Sequence, residues 1–153
     1  TFGHLYQSVF FKEIYSIIEG PPPEVNMSNE KNNGETILKL INKKLIASAH
    51  DISSGGLILA LAEMCLPTQY GLRIEKPQKL SNLMEHYFGE DQGRYLLEIE
   101  PKNLQNVTKI LNENNIFNEL VATVQKEYFE MLSEFKISIN DLYKSNNKWY
   151  NNY

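Results

Sequence analysis

The sequence predicts an α/β fold, a layered α/β sandwich with a mixed sheet. Three observations point there. Segments with apolar residues at helical spacing alternate with short β-prone runs along all 153 residues. The run from Leu57 to Leu66 is apolar nearly all round, with Glu63 its only charge, and a helix of that kind must be covered on most sides. Toward the end, Glu119 to Val124 and Tyr128 to Leu132 are β-prone runs joined by a short polar link at Gln125 to Glu127. That spacing predicts a pair of antiparallel neighbours, which suits a mixed sheet better than a doubly wound parallel one.

Taken in order, Phe10, Ile14, Ile17 and Ile18 recur at helical spacing and predict an amphipathic helix from about Leu5 to Ile18. Gly20 is placed to end it, and Pro21-Pro22-Pro23 imposes an extended internal linker. A second helix follows, with Asn26 or Ser28 as its cap and Glu30 at the positive end of its dipole. Ile37, Leu38, Ile41 and Leu45 mark its expected buried stripe, and Gly34 is a weak point within it. Leu45 to Ala49 reads as a short buried strand, Leu57 to Leu66 as the covered helix stopped by Pro67, and Tyr70 to Ile74 as a second strand. Lys79 to Tyr87 is helical and Arg94 to Ile99 alternates as a third strand. Pro101 opens a helix to Glu113 with Leu104, Val107 and Leu111 facing in. After the two late strands, Ser138 with Asp141 predicts a capping box before a terminal helix, and Trp149 is a candidate anchor for the polar tail.

Bulk properties narrow the function. A hydrophobic fraction of 42% over this length suits a single domain, residues 1–153, with a real core. The net charge is −4 and no basic run is interleaved with aromatics, so a nucleic-acid surface is not expected. No apolar run approaches the ~20 residues that span a bilayer, so no membrane association is expected. The one cysteine, Cys65, lies inside the apolar run and reads as a small core residue, which fits a reducing, cytoplasmic setting. The chain opens at Thr1 with no leader pattern, and Thr1 reads as a cut point within a longer protein.

Three segments carry candidate chemistry. The first is Ala49-His50-Asp51-Ile52-Ser53-Ser54-Gly55-Gly56-Leu57, where a β-prone run breaks at two glycines and a helix begins. This order puts backbone N–H groups and a helix start where a phosphate or nucleotide can sit. The same residues also read as a tight strand-to-helix turn capped by Asp51 or Ser53. The second is Phe88-Gly89-Glu90-Asp91-Gln92-Gly93-Arg94-Tyr95. Adjacent carboxylates suit water-mediated Mg²⁺, or an ordinary loop in which Arg94 pairs with Asp91 or Glu90. The third, Gly3-His4-Leu5-Tyr6-Gln7-Ser8, is a polar helix start that either touches a ligand or neighbouring domain or simply caps its helix. His4, His50 and His86 share no ligand spacing, so no zinc site is expected, and no nucleophilic catalytic pattern is present.

Together these segments resemble the phosphoribosylformylglycinamidine synthase family, in its synthetase subunit. Ala49-His50-Asp51-Ile52-Ser53-x-Gly55-Gly56-Leu57 continuing to Leu59-Ala60-Leu61-Ala62-Glu63-Met64 is similar to that family's Ala-His-Asp-x-Ser-Asp/Glu-Gly-Gly-Leu signature. Gly20-Pro21-Pro22-Pro23-x-Val25 resembles its proline linker, Gly89-Glu90-Asp91-Gln92-Gly93-Arg94-Tyr95 its approach to a strand, and Gly3-His4-Leu5-x-Gln7-Ser8 the start of its last domain. The likeness is strong from Gly3 to Ile99 and weaker beyond. Relatives such as aminoimidazole ribonucleotide synthetase and selenophosphate synthetase share the Gly-Gly-Leu kind of turn.

The resemblance implies a fold like the C-terminal domain of aminoimidazole ribonucleotide synthetase. It also implies an ATP-dependent ligase of purine biosynthesis that converts formylglycinamide ribonucleotide and ammonia to formylglycinamidine ribonucleotide, with ADP and phosphate released. ATP and Mg²⁺ would be held mainly by domains outside this chain, no catalytic residue would lie within it, and the fragment alone would be inactive. Implied partners are the N-terminal-type domains of the same polypeptide, a glutamine amidotransferase subunit and a small accessory subunit. The implied site is a phosphate-facing turn at His50, Asp51, Ser53, Gly55 and Gly56, supported by Glu90, Asp91 and Arg94. A scaffold domain that binds no ligand, and a selenophosphate-type relative, are the alternatives. Three positions depart from the pattern. Ser54 replaces an acidic residue beside the turn, Asn26 replaces an Asp and suits helix capping, and Tyr6 stands where a smaller residue is common.

Overall fold

The computed structural model describes residues 2–68, 70–77, 82–148 and 150. They fall into two compact units, residues 1–60 with 82–119, and residues 61–81 with 120–153. The predicted helix at Lys79 lies partly outside the described residues, as does Trp149.

In the first unit, α1 is only Val9–Tyr15, shorter than expected. Ser8 caps it by accepting the Phe11 amide at 3.1 Å, and Ser16 ends it in the left-handed region at φ 58°. Helix α2 spans Met27–Asn42, capped by Asn26, whose Oδ1 accepts the Asn29 amide at 3.0 Å. It runs through Gly34 unbroken. Its buried residues are Thr36, Ile37 and Leu40, whereas Leu38 and Ile41 are 59% and 46% exposed. The helix carries apolar residues on two faces, and the one through Leu40 meets α5 (Pro101–Glu113). Ile37, Leu40, Val107, Ile110 and Leu111 form that core, flanked by Leu45, Ile46, Leu97, Ile99 and Ile116. Leu104, expected to face in, is exposed. Strand β1 is Ser48–Asp51, three residues later than expected, and pairs antiparallel with β3 (Tyr95–Glu98) from Ser48↔Glu98 to Asp51↔Tyr95. Helix α4, Leu83–Phe88, leads into the loop before β3. Helix α3, Gly56–Cys65, begins in this unit and buries Leu57, Ala60, Leu61, Ala62 and Cys65. That matches its nearly all-round apolar sequence.

The second unit holds a four-stranded mixed sheet in the order β4-β2-β5-β6, from β2 (Tyr70–Ile74), β4 (Ala122–Lys126), β5 (Tyr128–Met131) and β6 (Phe135–Ser138). Here the expected pairing is corrected. β4 and β5 do not pair with each other but flank β2, β4 antiparallel and β5 parallel to it. A hairpin needs a turn of about two residues. The single linking residue, Glu127, instead takes φ 68° and sends the chain to the other side of β2. The link passes tightly over Gly71, where a Cβ would collide with the Tyr128 carbonyl. β6, absent from the sequence reading, pairs antiparallel with β5. Helix α6, Ile139–Asn147, opens on the expected box: Ser138 Oγ accepts the Asp141 amide at 3.0 Å and donates to Asp141 Oδ2 at 2.7 Å.

Candidate functional site

The three motif segments converge in the first unit, and the residue that joins them is Glu90. Its Oε1 accepts the Gly55 amide at 2.7 Å and the Val9 amide at 2.7 Å, and its own amide donates to the His4 carbonyl at 2.9 Å. One carboxylate thereby ties the diglycine corner to the start of α1. Asp91 does the same for the N-terminal strap, accepting the Phe2 amide at 3.1 Å and the His4 amide at 3.3 Å. Hydrogen bonds to an ionised acceptor are roughly twice as strong as neutral ones.

The expectation of open backbone donors at the corner is not met. Gly55 gives its amide to Glu90, and Gly56 gives its amide to the Ser53 carbonyl at 3.1 Å. Both glycines are buried. Both also need to be glycine. Gly56 sits at φ 69°, with a would-be Cβ at 2.7 Å from the Phe88 carbonyl carbon and the Tyr87 oxygen, and Gly55 sits at φ 82° against Leu59. The side chains around them differ. Ser53, Ser54 and Asp51 are exposed, and the Asp51 side chain is 68% open. His50 is half-buried on β1, and its Nδ1–H donates to the Asp51 carbonyl at 2.6 Å, which sets its tautomer.

Arg94 braces the loop from below. Its Nη1 donates to the Gly89 carbonyl at 3.0 Å and lies 3.7 Å from Asp91 Oδ2, with both side chains largely buried. Burial lowers the Arg94 pKa from its ordinary value, and Asp91 and Glu119 oppose that shift. The expected pairing of Arg94 with this loop therefore runs through Asp91, while Glu90 serves backbone amides. His86 on α4 is also lowered, first by burial and also by Arg94, against a raising influence from Glu119. Burial pushes the Cys65 thiol up to about 11, and its Sγ donates to the Leu61 carbonyl at 3.3 Å, the setting of an inert core thiol.

The strap explains two residues that spacing alone leaves open. The Tyr6 ring packs on Gly20, in a place a Cβ would fill, and meets His4 and Phe11 edge-on. Ser8, fully buried, is the cap on which the strap turns into α1. His4 Nε2 donates to the Pro21 carbonyl at 3.1 Å, and Gln7 Nε2 donates to the Gly20 carbonyl, so the proline linker is held against the strap. Phe10 stacks on Phe88 at 4.3 Å between ring centroids, a contact the sequence reading missed. Among the described residues, no three His, Cys, Asp or Glu gather as a metal site, and no helix is long and apolar enough to cross a membrane.

The geometry can be set beside known proteins. Residues 9–131 match the family described as AIR synthase related protein, C-terminal domain. A phosphoribosylformylglycinamidine synthase subunit PurL from Pelagibacter ubique is 50% identical over 153 residues, all of this chain and 21% of that protein. The chain thus spans about a fifth of the length of such relatives. Phosphoribosylformylglycinamidine synthase II from Thermotoga maritima shares the fold at TM-score 0.68 and 19% identity, covering 79% of this chain and 22% of that one. A structure of PurLQS from the same organism matches at TM-score 0.67 and 18% identity, covering 87% and 24%. The mixed α/β fold expected from the sequence is the fold of these neighbours. With the family match running through most of its length, the chain belongs to the AIR synthase related proteins as a C-terminal domain of that family.

Proposed function

We propose that this chain is the C-terminal-type domain of a phosphoribosylformylglycinamidine synthase and works only within that longer polypeptide. The observation that carries the reading is the 50% identity to a PurL protein along the whole chain. In the reaction, ATP phosphorylates the amide oxygen of formylglycinamide ribonucleotide. Ammonia from glutamine then displaces the phosphate, giving formylglycinamidine ribonucleotide, ADP and phosphate. The glutamine amidotransferase and a small accessory subunit are the proposed partners, and the cytoplasm is the proposed compartment.

Within the domain, we assign ligand contact to the side chains of His50, Asp51 and Ser53, with Gly55 and Gly56 shaping the turn and Glu90, Asp91 and Arg94 holding it. The corner carries the Glu90 carboxylate at its amides and Asp51 at its rim. Such a surface favours a hydroxyl-bearing part of a nucleotide over a bare phosphate, which like charge repels. Glu90 and Asp91 do not suit Mg²⁺, because backbone amides and Arg94 already engage their oxygens. ATP and Mg²⁺ belong to the rest of the polypeptide.

A second reading, a scaffold that binds no ligand, draws on α1. None of the residues of α1, all of them described, is buried, although five of the seven are apolar or aromatic. Ile14 and Tyr15 are 64% and 58% exposed. Growth of a purine-requiring strain tests the main reading: the full gene restores growth and this chain alone does not. Equilibrium dialysis of ADP with the full-length protein separates the two readings. Weaker binding in Asp51→Asn or Ser53→Ala supports ligand contact, and unchanged binding supports the scaffold.

A further inference from the structure

We propose that the outer edge of β1 receives an extended strand from the part of the polypeptide outside this chain, turning the β1–β3 ribbon into a three-stranded sheet. The inference rests on the reading of this chain as one portion of a longer enzyme. β1 is hydrogen-bonded to β3 on one side and to no other strand among the described residues. A two-stranded ribbon is marginal by itself, and a third strand is the usual remedy.

The direction of the main chain shows which edge is open. The Ile52 amide donates to the Arg94 carbonyl at 2.9 Å, across the β1–β3 seam. The Ala47 amide also reaches β3, donating to the Glu98 carbonyl at 2.8 Å although Ser48 is the residue registered with Glu98, so a bulge opens the strand at Ala47–Ser48. Beyond it main-chain groups alternate in direction back from Ile52, so the Ala49 and Asp51 amides turn away from β3. A shallow concavity of about 370 Å³ runs along that edge, lined by Ile41, Lys44, Ile46, Ala47, Ser48 and Ala49. Ala47 and Ala49 are exposed and small, so no bulky side chain bars another backbone.

Natural edges that stay unpaired carry Lys, Pro or a bulge. Ser48–Asp51 has no Lys or Pro, the bulge is confined to its start at Ala47–Ser48, and its one carboxylate lies at the far end. An extended backbone matches this row of alternating groups in a way a helix does not. Ile41 and Ile46 would meet its apolar side chains. Since the chain is 21% of its Pelagibacter relative, about four-fifths of such a polypeptide lies elsewhere. A strand within it reaches the edge at the high effective concentration of a tethered segment.

Hydrogen exchange resolved to single amides, on the full-length enzyme, tests the proposal. The Ala49 amide is expected to exchange on the order of 100-fold more slowly than in an unstructured peptide. Ala49→Pro removes that outward donor and leaves the groups facing β3 in place. It is expected to lower the melting temperature and speed exchange from Ala47 to Asp51. Should Ala49→Pro fail to fold, Ala47→Lys, a charge placed on the same edge, is expected to speed Ala49 exchange. Fast exchange at Ala49 beside a protected Ile52 overturns the proposal. So does slow exchange that neither substitution alters, which means a surface other than a strand covers the edge. Protection lost on dilution together with a fall in mass also overturns it, in favour of a second copy. Synthesis of formylglycinamidine ribonucleotide by the same preparation separates the two readings: active enzyme with an unprotected Ala49 overturns the strand alone.

Discussion

The diglycine corner and the α2–α5 core both fix one segment of chain against another, but with different materials. The core does it with side-chain volume: Leu40 and Val107 are completely buried among Ile37, Ile110 and Leu111. The corner does it with single atoms: one Glu90 oxygen takes two amides, and two glycines fit where no Cβ can. Volume is a forgiving constraint, because hydrophobic residues of similar size replace one another at modest cost. Atom-to-atom tethers are unforgiving, because a buried donor left alone loses its whole hydration. The corner is therefore the part of this domain where conservative substitutions are expected to fail.

Substitutions in the two regions put that contrast to the test, and the largest effect is expected in the core. Leu40→Ala should cost about 3–5 kcal/mol of stability by urea denaturation, while Leu40→Met should cost less than about 1.5 kcal/mol. A similar loss for both would show that the core is as shape-specific as the corner. Gly56→Ala should cost about 3 kcal/mol, from the left-handed backbone and the collision with Phe88. Glu90→Ala should cost about 1–3 kcal/mol by orphaning the Gly55 and Val9 amides, with faster hydrogen exchange at both. Gly34→Ala offers the opposite sign. In the helical interior of α2 its Cβ would meet nothing nearer than the Tyr95 hydroxyl at 4.0 Å, so a gain of about 0.5–1 kcal/mol is expected.

The smallest effect concerns pH. Burial holds His86 below its ordinary value near 6.5, so the unfolded chain binds more protons in that range. The His86 contribution is fully present above 6.5 and is lost as pH falls below it. Replacing His86 with Phe should flatten the fall in stability as pH drops below about 6.5, and an unchanged slope would show that His86 is not desolvated in the folded state.

Local features of this fold were legible in the sequence. Asn26 and Ser138 cap their helices as expected, Pro101 opens α5, and Tyr70–Ile74 is the strand that its pattern predicts. Each depends on contacts within a few residues. The buried face of α2 was misread at Leu38 and Ile41, because two apolar faces compete and only the position of α5 chooses between them. The pairing of β4 with β5 was misread because adjacency in sequence usually means adjacency in a sheet, whereas Glu127 leaves no room for a hairpin. β6 is legible as a four-residue alternation, Phe135-Lys136-Ile137-Ser138, the shortest run that such a pattern can mark.

The candidate site divides the same way. The three motif segments stood out in the sequence, and the side chains of Asp51, Ser53 and Ser54 are where a turn would expose them. Their meeting at Glu90 was not legible, since Glu90 lies 35 residues from Gly55 and 81 from Val9. By itself, then, the order of residues determined the helix caps, the glycine turn, the covered helix and the family. Only the tertiary structure decided which carboxylate reaches which amide and which strand lies beside which. Hydrogen bonds act over about 3 Å, and what arrives within that distance is set by segments that the chain keeps far apart.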